Sequence, residues 1–202
     1  MGPNNRRHLV LLAATTMLFI APALIAGQAP RADGHGRVPL DEYNKALGVD
    51  CSHCHVPDQW QDEGKAPKAT ARKMSEMVTL LNGKLLRGIG EVSCWTCHGG
   101  QPQPAKLPPE ALDAQLARWP EAIAAADDDV KLRMAVYSSS TGLRCTECHT
   151  PDNWKRFETD KMRIVPRMAG LFPRIEPFMP PNAQTQCYMC HKGENKPRKG
   201  PD

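Results

Sequence analysis

The sequence predicts a mainly α-helical chain, duplicated end to end, with helices and long loops wrapped around something other than their own side chains. Three observations carry this. Apolar residues recur at helical spacing in several stretches, and alternation at the period of a half-buried strand is lacking. The string "VDCSHCHVPDQW" from Val49 returns as "LRCTECHTPDNW" from Leu143, a mark of internal repetition. Aromatic residues make up only 5 % of the 202 residues, against 19 prolines and 15 glycines. A chain of that length with so few large apolar groups cannot bury much surface with side chains alone.

The elements follow in order. Met1 to His8 carries Arg6 and Arg7; Leu9 to Ile25 is apolar and runs into "APALIAGQAP". This is the pattern of a secretory signal peptide over residues 1–26, cut near Ala26 or after Ala23. A retained anchor is the alternative, although the run sits at the lower limit for a spanning helix and Pro22 interrupts it. The rest of the chain is then expected in a periplasm or otherwise exported, with membrane association left open.

Leu40 to Leu47 reads as a short helix closed by Gly48. Ala69 to Leu81 puts Met74, Met77 and Leu81 on one helical face and meets Gly83 as a stop. "GQPQPAKLPPE" is a Pro-rich linker, so one unit covers 27–108 and a second 109–202. "PPEALDAQLARW" opens a helix with Pro ahead of Glu110, and Asp128 to Ser139 forms another that ends towards Gly142. Each Pro-Asp-x-Trp segment forms a turn, with Trp60 and Trp154 packing over whatever the preceding motif holds. From about residue 193 the tail is basic, rich in Pro and Gly, and expected to be flexible.

All eight cysteines fall into four Cys-x-x-Cys-His units: Cys51/Cys54/His55, Cys94/Cys97/His98, Cys145/Cys148/His149 and Cys187/Cys190/His191. Structural zinc uses Cys-x-x-Cys pairs but does not require the trailing His. A thioredoxin-type motif is normally single and needs a βαβ setting. A disulfide framework would not confine every cysteine to one spacing. The pattern is the attachment signature of c-type haem, in which the two thiols bond the macrocycle's vinyl groups and the His takes the iron. The expected cofactors are therefore four haem c, and the fold class becomes a multihaem cytochrome c of two dihaem units. The gap from Cys51 to Cys94 matches that from Cys145 to Cys187 to within one residue, so the sites come in pairs. Four macrocycles supply the interior that the composition lacks. Their propionates also outweigh the formal charge of +4, and no basic stripe with interleaved aromatics marks a nucleic-acid partner.

Each iron has a second axial position to fill. Past the leader, only His35 and His53 lie outside the motifs, too few for four histidine pairs. Methionine is the usual substitute and raises the potential. Met134 precedes the third motif on its helix, Met77 stands upstream of the second motif, and Met168 upstream of the fourth as the expected repeat partner of Met77. A Met on an apolar helical face also serves as core filler. At the repeat position of Met134 stands Leu40, which cannot bind iron. The first haem is left with His35, His53 or an open position.

A Met-bearing helix, "LGVDCSHCHVPDQW", "KATARKMSEMVTLLN" and a second motif followed by Gly, all duplicated, resemble the photosynthetic reaction-centre cytochrome c subunit family. The chain looks like a short, non-lipidated relative over about residues 40–193. The resemblance implies a mainly helical fold of pseudo-twofold pairs that passes electrons to a membrane-bound oxidant. It also implies three Met ligands and one distant His. Met77 and Met134 match family Met positions. Leu40 departs from the first, and the absence of a His between Met77 and Cys94 leaves Met168 for the fourth haem.

The function expected is that of an exported electron carrier between redox partner proteins, a membrane-bound complex being one candidate, with no small-molecule substrate required. The alternative is a multihaem oxidoreductase, or a gas or redox sensor, with an open site at the first haem.

Overall fold

A computed structural model describes residues 39–155, 159–181 and 183–201. The leader and His35 lie outside these residues. The described chain is helical, and the only strand-like pairings in it are two isolated bridges, Val56 with Gln59 and Thr150 with Asn153. A mainly α fold is what the sequence predicts.

Helix α1, Leu40–Leu47, has the predicted bounds. Asp41 and Glu42 occupy its first turn and Lys45 its last, signs that suit the helix dipole, and it ends on Gly48 at φ 63°. The first motif forms the single-turn helix α2, Cys51–Cys54. Helix α3, Ala66–Leu80, starts earlier than the apolar pattern indicates, because Pro67 is tolerated in the first turn. It also overruns the expected stop. A π turn, Leu81–Leu85, continues it through Gly83. The cause is a long-range clamp: the Asn82 amide donates to the Val92 carbonyl and accepts from the Val92 N–H, each at 2.8 Å.

The second motif is helix α4, Cys94–His98. After the linker come α5, Pro109–Leu116, and α6, Asp128–Thr141. Asp127 caps α6 by accepting from the Val130 N–H at 2.9 Å, and Gly142 closes it at φ 67°. The third motif is α7, Cys145–Cys148; α8 covers Asp160–Ala169 with Pro166 inside it; α9 is Phe172–Ile175; the fourth motif lies in α10, Tyr188–His191.

One crossing recurs in both halves. The Gly100 N–H donates to the Ala46 carbonyl, and the Gly193 N–H donates to the Ser140 carbonyl, both at 2.8 Å. Each brings the chain after a motif hard against the end of the helix that precedes the pair. A Cβ on Gly48 would sit 2.2 Å from the Gly100 oxygen, and one on Gly142 would sit 2.1 Å from the Gly193 oxygen. Only glycine has room there, and only glycine adopts those φ values without strain.

The halves share a core. Met77, Leu81 and Leu86 from the first meet Ile175 and Met189 from the second, with Cys97 among them. The tail returns to the first half: Ser93 Oγ donates to the Lys199 carbonyl at 2.6 Å, and Lys199 pairs with Glu91 at 3.1 Å.

Candidate haem sites

A Cys-x-x-Cys turn on a helix places the two thiols on one face, three residues apart. Two geometries alternate. At the first and third sites the helix stops at the second cysteine and the histidine is extended, with φ and ψ of −117° and 150° at His55 and −114° and 149° at His149. At the second and fourth sites the histidine remains helical and the next residue turns left-handed, at Gly99 (φ 58°) and Lys192 (φ 49°).

The histidines test whether haem fits. His55 Nδ1 donates to the Trp60 carbonyl at 3.1 Å, His98 Nδ1 to the Gln101 carbonyl at 3.0 Å, and His191 Nδ1 to the Glu194 carbonyl at 2.9 Å. A hydrogen held on Nδ1 fixes the tautomer and leaves the Nε2 lone pair for a metal, the arrangement usual in histidine ligands. Burial also holds His98 below its ordinary pKa, which favours the neutral ring that binds iron. His149 differs: among the described residues its buried Nδ1 meets no acceptor.

The thiols fit as well. None of the eight is in a disulfide. Burial pushes Cys94 up to about 11, with Glu42 adding to it, and raises Cys54, Cys148 and Cys187. These are neutral S–H groups, the form that adds across a vinyl group. Cys97 and Cys190 meet at 2.8 Å between their sulfurs, and this contact together with burial raises Cys190. The second and fourth sites are therefore neighbours at the middle of the molecule, while α2 and α7 pack on α3 and α8.

The Pro-Asp turns form as expected, with Gln59 N–H donating to the Val56 carbonyl and Asn153 N–H to the Thr150 carbonyl, each at 3.0 Å. The tryptophans have a role the sequence did not reveal. Trp60 lies 5.6 Å from the His55 ring at 53°, and Trp154 lies 5.6 Å from the His149 ring at 39°. Both pack on the imidazole itself. Behind the first turn is a buried lysine, Lys68, whose ammonium donates to the carbonyls of Trp60 at 2.8 Å and Asp62 at 2.9 Å and pairs with Glu63 at 3.0 Å.

Of the candidate distal ligands, Met77 is buried within the shared core, Met168 is half-buried at its margin, and Met134 is half-buried on α6. His53 is exposed on α2. Leu40 is 57 % exposed at the start of α1. The helices also change one pairing. α3 and α8 begin at Ala66 and Asp160, equally far beyond Cys51 and Cys145. Counted from those cysteines, Met74 and not Met77 falls on Met168. Met74 and Met168 both flank the core as half-buried residues. The equal distance from the first motif was the available signal. The alignment Arg72–Asn82 with Arg163–Pro173 rests on residue likeness and keeps register with neither motif.

Paired thiols beside a histidine, with Nδ1 bonded to a backbone carbonyl at three of the four sites, repeated on a helical frame, mark a c-type cytochrome. Comparison with known proteins gives a likeness over part of the chain. Residues 46–118 match the family described as photosynthetic reaction centre cytochrome C subunit. The photosynthetic reaction center cytochrome c subunit of Thermochromatium tepidum is 38% identical over 56 residues, 27% of this chain and 14% of that protein. Through this stretch, which holds the first two motifs, the chain is similar to the reaction-centre cytochrome c subunit family, an electron-transfer family with covalently bound haem c, and it spans only a small part of the length of the relative it matches. Among the described residues no helix is long and apolar enough to cross a membrane.

Proposed function

We propose that the chain is an exported tetrahaem c-type cytochrome that relays single electrons between a donor protein and a membrane-bound or extracellular acceptor, with 27–108 and 109–202 as its two dihaem units. The observation that carries this reading is the hydrogen bonding of the histidines, which presents Nε2 at His55, His98 and His191 within otherwise complete motifs. Each haem would supply one iron that gains and loses one electron. The cysteines Cys51, Cys54, Cys94, Cys97, Cys145, Cys148, Cys187 and Cys190 would hold the macrocycles, and His55, His98, His149 and His191 would bind the irons. Met134 and Met168 are the distal candidates for the third and fourth sites, and Met74 or Met77 for the second. The contact between Cys97 and Cys190 supports a succession first, second, fourth, third, with outer sites facing partners and inner sites joining them.

Mass spectrometry and haem quantification of the exported holoprotein should give four haems, and a redox titration should show them exchanging electrons with one another. Fewer than four attached haems, or haems that never equilibrate, would overturn the reading.

A second reading, a reductase or sensor at the first haem, is favoured by Leu40 at the position of Met134. Titrating the fully reduced protein with carbon monoxide tests it. Uptake of one equivalent per chain, abolished by Leu40→Met, supports an open iron at that site, and no uptake excludes one.

A further inference from the structure

We infer that Lys68 is a positioning residue that raises the reduction potential of the first haem and so sets it apart from the third, its counterpart in the second half. This rests on the reading above, in which Cys51, Cys54 and His55 hold a haem.

Lys68 is 2 % exposed. A lysine is almost never so buried without partners, and here all three ammonium hydrogens have acceptors in Trp60, Asp62 and Glu63. The Trp60 carbonyl is the informative one, because it also accepts from His55 Nδ1. A carbonyl oxygen has two lone pairs and can serve both donors. At most two hydrogen-bond lengths therefore separate the buried charge from the imidazole that faces iron.

Two effects follow, with the same sign. A cation held away from water near the iron disfavours the ferric state, which carries one more positive charge than the ferrous. A carbonyl already engaged by an ammonium is also a weaker acceptor for the His55 N–H, so the imidazole donates less to ferric iron. Reduction takes up one electron from the donor and moves no proton at Lys68. Glu63 offsets part of the charge, but it is 51 % exposed and shared with Arg72.

The second half lacks this device. Counted from the first cysteine of each half, Lys68 corresponds to Met162, which is 8 % exposed. Its histidine, His149, has no acceptor for Nδ1 among the described residues. In the same scaffold one half buries a charge tied to its ligand, and the other buries a thioether.

The test is potentiometry of the holoprotein, with the first haem's transition assigned as the one lost in the double variant Cys51→Ala, Cys54→Ala. Lys68→Met, the residue found in the second half, should lower that transition alone. The expected size is about a tenfold fall in its reduction equilibrium constant, or about 59 mV for one electron. Glu63→Gln, which keeps Lys68 but removes the offsetting carboxylate, should move the same transition upward. If Lys68 only pinned the loop, both variants would loosen it and shift the transition the same way, and that result overturns the inference. So does Lys68→Met with four haems attached and no transition moved. If Lys68→Met fails to load its haem, Glu63→Gln decides: a rise supports the inference, and no rise overturns it. Fewer than four haems on the wild-type protein would count against the tetrahaem reading instead.

Discussion

The glycine crossings make a quantitative prediction that does not depend on any redox assay. Replacing Gly48 by Ala puts a methyl where the Gly100 oxygen stands 2.2 Å away, and replacing Gly142 does the same at 2.1 Å from the Gly193 oxygen. These are backbone atoms, so the neighbour cannot swing aside. Two costs combine. A non-glycine residue held left-handed loses about 1–2 kcal/mol. Forcing the two chain segments apart also breaks the hydrogen bond from Gly100 to Ala46, or from Gly193 to Ser140, worth about 1 kcal/mol net. Each variant should lose about 2–3 kcal/mol, and since 1 kcal/mol shifts a chain of this size by about 2–4 °C, each should melt about 4–12 °C lower. The assay is thermal unfolding of the haem-loaded protein followed by circular dichroism. Gly83→Ala is the control, because it sits in the π turn with nothing within 4 Å of its Cβ, and it should change little. Wild-type melting for either crossing variant, or a fall as large for Gly83→Ala, would refute the steric argument. A large fall for one crossing and none for the other would refute the equivalence of the halves.

Further outcomes are expected elsewhere. Met74→Leu should lower one potential, since loss of a Met ligand lowers it, and should open that haem to carbon monoxide. Met77→Leu, nearly volume-conserving in the core, should cost less than about 1.5 kcal/mol and leave carbon monoxide excluded; the reverse pattern would restore Met77 as the ligand. Removing the clamp with Asn82→Ala leaves the Val92 groups without their partner and should cost about 1–3 kcal/mol, read as a lower melting temperature. Hydrogen bonds from Arg72 and then Lys68 hold the Glu63 carboxyl below its ordinary value. Its contribution is thus fully present above about pH 4.3 and lost as acid titrates it through the depressed value. An acid titration followed in the haem spectrum should show a step below that pH, and Glu63→Gln should lack it.

How much of this was legible in the sequence depended on the range of the interaction that decides each feature. Helix α1 was readable to the residue because Pro39 and Gly48 punctuate it locally. The motifs were readable for the same reason, since three residue types at fixed spacing define the site. The end of α3 was not, because Gly83 is a local signal and the clamp between Asn82 and Val92 acts across a loop. The likeness of residues 72–82 to 163–173 pairs Met77 with Met168, whereas the helix starts keep register with the first motif of each half and set Met74 opposite Met168. Lys68 gave no sign at all. In "KATARKM" it looks like any solvated lysine, and only the fold brings three acceptors around it.

The contact of the tail with the first half closes the molecule into a circuit. Pro39 and Asp41 at the start of the described fold line one small cavity of about 230 Å³ together with Lys199, Gly200 and Pro201 at its end. The halves are thus tied twice along the chain, by the linker on one side and by the docked tail on the other. A circular permutant joining 201 to 39 and opened within the linker would exchange the order of the halves along the chain while keeping every site and both glycine crossings. In such a molecule the order in which the motifs leave a ribosome would be uncoupled from their order in space.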